Sequence, residues 1–77
     1  MSAIRLPTMG DMIRVERDYL VLGANLFESG RLKKDSIVIY IGEEWLTPEM
    51  RCQIVIAPEV GCVYVPGTEP QDIGTII

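Results

Sequence analysis

The run Ile37-Val38-Ile39-Tyr40-Ile41 constrains this chain more than any other stretch. Five consecutive apolar residues, most of them β-branched and stiff at χ1, favour a pleated strand. The run rises from the basic segment Arg31-Leu32-Lys33-Lys34 and stops at Gly42, ahead of Glu43, Glu44 and the one tryptophan, Trp45. An antiparallel strand with one face in water should alternate apolar and polar residues. Here both rows are apolar, and Ile54 to Ala57 repeats the pattern. The expectation is that Ile37, Ile39 and Ile41 face the core while Val38 and Tyr40 make a second apolar face. That second face requires cover, either from the long segment after Gly23 or from another subunit.

Around this strand the chain divides into an N-terminal arm, residues 1–10, and a single small β domain, residues 11–77. Ile4 and Leu6 are the apolar anchors of the arm, and Pro7 opposes helix. Asp11 to Val15 alternates as a half-buried strand, with Ile13 and Val15 on one side and Met12 and Arg14 on the other. Tyr19 to Leu22 is a second short strand ended by Gly23. The residues from Gly23 to Asp35 read as one long loop with a helical turn at Leu26 to Ser29, Leu26 and Phe27 tucking beneath it. Thr47-Pro48-Glu49 carries the signature of a short helical turn, with Thr47 as cap and Pro48 in the first position. Arg51 to Ala57 and Cys62 to Val65 form a hairpin across Pro58-Glu59-Val60-Gly61, with Ala57 opposite Cys62 and Val55 opposite Tyr64, or a register one residue away. In neither register do Cys52 and Cys62 face each other, so two free, mostly buried thiols are expected. Ile73 to Ile77 adds an edge strand with Gly74 as a bend. Five or six short strands with frequent turns describe a small all-β antiparallel barrel or sandwich; the other arrangement is a pair of hairpins packed on one helical turn.

Composition narrows the function classes. A 77-residue domain hides only roughly 60% of the surface of its unfolded chain. Yet 48% of the residues are hydrophobic and mean hydropathy is +0.23. Part of that apolar surface is expected to meet another chain. The absence of histidine removes the commonest metal ligand and the usual neutral-pH acid–base group. The ten-residue spacing of Cys52 and Cys62 matches no zinc or redox pattern. Glu43 and Glu44 are adjacent on one strand and point to opposite sides, so they do not form an acid–base pair. No catalytic residue, metal or cofactor is expected. No segment approaches the roughly 18 apolar residues that span a membrane, and Arg5 and Pro7 interrupt any signal-like run. The expected location is the cytoplasm or a virion, without secretion.

Formal net charge is −4, unevenly spread along the chain. Through Lys34 the balance is +2; from Asp35 onward Arg51 stands against seven acids, a balance of −6. An acidic protein of this kind either keeps itself soluble by charge or meets partners through it.

The order of a long loop, then LKKDSIVIYIGEEW, a hairpin and GCVYVPG resembles the Src-homology-3-like barrels. In that family a lysine-containing diverging turn leads into a hydrophobic strand, and an acidic loop ends in tryptophan. The similarity covers about Tyr19 to Val65. It implies a small barrel with a peptide-binding groove at Trp45, flanked by Tyr64 and Pro66. The chain lacks the family's aromatic N-terminal strand motif and its second tryptophan.

Together these readings lead to the expectation of a non-enzymatic structural subunit that packs against copies of itself or a larger assembly, such as a bacteriophage particle in a decoration, cement or connector role. Its partner-binding residues would be Trp45, Glu43, Glu44, Tyr40, Val38 and Tyr64, with Ile4 and Leu6 as arm contacts. The alternatives are a monomeric adaptor that binds a peptide or host protein around Trp45, and a regulator that binds nucleic acid through Arg31, Lys33 and Lys34. A membrane and a small-molecule substrate are not expected partners.

Overall fold

The computed structural model describes residues 6–23, 29–58 and 60–77. Among the described residues the strands are β1 (Met12–Val15), β2 (Tyr19–Gly23), β3 (Ser29–Leu32), β4 (Ile37–Thr47), β5 (Met50–Ala57), β6 (Gly61–Pro66) and β7 (Gly74–Ile76), with a 3-10 turn at Pro70–Asp72. They form one antiparallel sheet in the order β3-β2-β6-β5-β4-β1-β7, curled into a half-barrel.

Inward-facing residues fill the hollow of the curl. Ile13 and Val15 from β1, Val21 from β2, Val38 and Tyr40 from β4, Val55 from β5, Val63 and Val65 from β6, and Ile73 are buried in one cluster. Ile13 and Val15 occupy the side that their alternation assigns them, and Met12 and Arg14 face out.

On β4 the expected faces are reversed. Val38 and Tyr40 are buried, while Ile39 is 41% exposed and Ile37 and Ile41 are half-buried. Strand β1 sets this side: Ile13 pairs with Val38 in the ladder, and paired residues share a face. With both rows of β4 apolar, its own residues carry no preference between sides. The neighbour's alternation makes the choice.

Three further expectations are revised. The long loop after Gly23 contains strand β3, because Leu32 is buried against the core and Tyr19 to Leu22 pair with Ser29 to Leu32. The helical turn and the tucked Leu26 and Phe27 fall on residues 24–28, outside those described. Pro48-Glu49 is the tight turn of the β4–β5 hairpin, with Thr47 facing Met50, and not the helical turn expected there. The β5–β6 hairpin takes the second of its two expected registers, in which Ala57 faces Gly61, Ile56 faces Cys62 and Val55 faces Val63. Gly61 adopts φ +74°, a conformation that glycine enters without strain, and this moves the pairing by one residue. Strand β4 also continues through Glu43, Glu44 and Trp45, which were expected to follow it.

Gly74 is needed for close approach as well as for a bend. It lies opposite Val15, and a Cβ there would sit 1.8 Å from the carbonyl oxygen of Arg14. Only glycine lets β7 come within hydrogen-bonding range of β1 at that point.

The end of the arm is tied to the domain. Pro7 is buried, Gly10 N–H donates to the Tyr40 carbonyl at 2.8 Å, and Thr8 N–H donates to the Asp11 carboxylate at 2.8 Å. Leu6 stands exposed, and Ile4 is outside the described residues.

Candidate functional site

A bulge in β4 divides the expected partner-binding residues between the two sides of the sheet. Tyr40 faces Val55 and Gly42 faces Ile54, so Ile41 is an extra residue and the alternation shifts by one beyond it. Glu43 and Trp45 thereby join the inner side, opposite Gln53 and Arg51, while Glu44 falls outside, opposite Cys52. Val38 lies in the core and offers nothing to a partner.

On the inner side a polar chain begins in the core and ends in solvent. The buried Tyr40 hydroxyl donates to Gln53 Oε1 at 2.6 Å. Gln53 Nε2 donates to Glu43 Oε2 and to the Thr68 carbonyl, both at 2.9 Å. Arg51 Nε lies 3.6 Å from Glu43 Oε2, and its Nη2 pairs with Glu69. The Arg51 guanidinium also sits 5.6 Å from the centroid of the Trp45 ring, a cation–π distance, and Trp45 is 57% exposed. Burial raises the Tyr40 phenol above its ordinary pKa; the charge of Glu43 adds to this and Arg51 partly opposes it. Each polar group here has a partner, so the chain reads as a cap over one end of the core. Trp45 shields a cation and presents its remaining surface to solvent.

On the outer side the pairing generates apolar rows. Met12, Ile39, Ile56 and Cys62 lie side by side across β1, β4, β5 and β6. The next row runs from Gly42 through Ile54 and Tyr64 to Leu22. Met12 is 47% exposed, and Ile39 and Ile56 are each 41% exposed. Cys62 is also exposed, contrary to the expected burial of both thiols. Cys52 is fully buried, yet it stands apart from the inner cluster, on the outer side between Glu44 and Pro66. Burial raises its thiol pKa, and the nearby Glu44 adds to the effect. The charge of Glu44 is also the main cause of the raised Tyr64 phenol pKa, with burial and a Glu44 hydrogen bond contributing. Tyr64, inside the second row, and Glu44 at its border thus bring polar groups to the apolar face.

Among the described residues no grouping of three or more Cys, Asp or Glu side chains is arranged to hold a metal ion, and no helix is long and apolar enough to cross a membrane. Sequence reasoning missed Arg51, Gln53, Thr68 and Glu69. Gln53 carried a signal, as the one polar residue between Cys52 and Ala57. The exposed Ile39 and Ile56 were visible as apolar residues, but the side they occupy was not. Comparison with protein-family models, curated proteins and solved structures finds no match to this chain.

Proposed function

We propose that this protein is a non-enzymatic structural subunit whose outer sheet face packs against copies of itself. The observation that carries this reading is the pair of adjacent apolar rows on the outer face, centred on Ile39, Ile56 and Ile54. Contiguous exposed apolar surface in a small protein marks an interaction site, whereas single exposed apolar residues are ordinary. Charge supports a second copy as the occupant. Arg14 lies toward one end of this face and Glu44 toward the other. Two copies facing each other with strands antiparallel bring each arginine toward the other's glutamate, a self-complementary arrangement of the kind a two-fold interface requires. Sedimentation velocity on the wild type and on Ile39→Lys/Ile56→Lys tests this. The wild type should associate as concentration rises, and the double variant should stay monomeric with an unchanged circular dichroism spectrum. A wild type that remains monomeric at high micromolar concentration contradicts the proposal.

A second reading is peptide capture around Trp45, in the manner of a Src-homology-3-like adaptor. It draws on the exposed Trp45 ring, which lies against Arg51, the cation that pairs with Glu43 and Glu69. Under that reading Trp45→Ala abolishes capture of a partner peptide and leaves the fold intact, because Trp45 is outside the buried cluster.

A further inference from the structure

At the opposite end of β4 from Trp45, the half-barrel is open. The turn before β4, the end of β3 and the β5–β6 turn enclose a cavity of about 280 Å³. Its apolar lining includes Leu32 and Ala57, both buried, together with Ile37 and the exposed Val60. Its polar lining is cationic: Arg31 and Lys33, with Ser36 beside them. Neither Arg31 nor Lys33 forms an ion pair among the described residues, in contrast to Arg51, which pairs with both Glu43 and Glu69.

The segment that carries these groups is held in place. Asp35 N–H donates to the Val15 carbonyl at 2.7 Å, and Val15 N–H donates to the Ser36 carbonyl at 2.9 Å. Ser36 N–H closes the turn onto the Lys33 carbonyl at 3.2 Å, and Asp35 takes φ +71° within it. Lys34 N–H donates to the Asp18 carboxylate at 2.8 Å. A site built on a fixed turn loses little ordering entropy when a ligand enters.

We propose that this mouth binds a small organic anion, one anionic head group carried on a short apolar body. The apolar lining favours the body, which a bare inorganic ion lacks. The two cations, unpaired among the described residues, favour the head through charge-assisted hydrogen bonds that a neutral apolar molecule cannot accept. Barrel mouths are recurrent ligand sites, and this volume lies just under the range of about 300–1,000 Å³ typical of drug-sized ligands. The ligand is therefore small, the size of a substituted single ring or a short chain.

The test is an amide-shift titration of the intact protein with benzoate and with phenyl phosphate, alongside inorganic phosphate and benzyl alcohol. At least one of the two amphipathic anions should shift residues 31–37 and 57–60, and the tighter of them identifies the head group. Inorganic phosphate and benzyl alcohol should each bind at least tenfold more weakly. Arg31→Ala/Lys33→Ala should weaken the anion at least tenfold, with circular dichroism confirming that these exposed substitutions leave the fold unchanged. Glu59→Gln, which removes an acid adjacent in sequence to Pro58 and Val60, should leave binding equal or tighter. Shifts centred on Ile39, Ile54 and Ile56, or binding unaffected by loss of the two cations, overturn the proposal. So does tighter, steeply salt-dependent binding of an oligonucleotide at the same residues, which would make the mouth part of a nucleic-acid surface. The outcome is independent of self-association, since the outer-face variant Ile39→Lys/Ile56→Lys should bind the anion as the wild type does.

Discussion

Strands β4 and β5 present two apolar sides that fared differently. Val38, Tyr40 and Val55 are sealed within the half-barrel, whereas Ile39, Ile54 and Ile56 lie on its outer surface. The residue types are nearly the same. The difference comes from the neighbours: Ile13 and Val15 on one flank and Val63 and Val65 on the other alternate with polar or exposed residues, and so select which row of the central strands is enclosed. Hydrophobicity makes these segments strands, and the more polar flanking strands decide which way they face. The outer rows are the apolar surface left over once the core is complete.

The comparison breaks most sharply under truncation. Ile13→Ala removes a fully buried side chain and should cost about 2–5 kcal/mol in urea unfolding, through lost transfer energy and the cavity left behind. Ile39→Ala, measured on dilute monomer, should cost about 1 kcal/mol or less, near the range of surface substitutions. Equal losses at the two positions would mean that the outer row is as enclosed as the inner one. A smaller effect is expected where the inner side turns polar. Gln53→Leu keeps the volume but leaves the Tyr40 hydroxyl and the Thr68 carbonyl without their partner, at a cost of about 1–3 kcal/mol. Unchanged stability on that substitution would show the polar chain to be dispensable to the cap.

The smallest of these effects is a pH dependence. Burial raises the Tyr40 pKa above its ordinary 10.0, so folding favours the protonated phenol. That contribution is fully present below pH 10 and is lost as pH rises through the raised value. Stability followed by urea unfolding should fall in this alkaline window, and Tyr40→Phe should reduce the fall. Some decline will persist, because Cys52 and Tyr64 are shifted in the same direction. A decline of the same size in Tyr40→Phe would remove Tyr40 from the account.

Much of the fold was legible in the sequence. The all-β class and antiparallel hairpins, and the inward Ile13 and Val15, follow from alternation and turn residues. Strand β3 was obscured because Ser29, Gly30 and Arg31 carry no strand preference; its pairing with β2 and the burial of Leu32 make it a strand. The side taken by β4 was not legible, since a strand apolar on both rows does not encode it. Nor was the bulge at Ile41, a single added residue that sends Glu43 inward and Glu44 outward. The expected site was therefore split, with Trp45 and Glu43 joining Arg51 and Gln53 while Tyr64 and Glu44 lie on the outer side. A second apolar face did emerge from the sequence, though with its residues exchanged.

Cys62 provides the most direct test of the outer face, because it stands exposed in the same row as Ile56 while Cys52 is buried and serves as an internal control. The rate of thiol labelling should be followed across protein concentrations in native buffer. If the outer rows are where copies meet, Cys62 reacts readily at low concentration and at least fivefold more slowly once the protein associates, with Cys52 unreactive throughout. A Cys62 rate that is the same in monomer and assembly would contradict the assignment and place the contact elsewhere on the molecule.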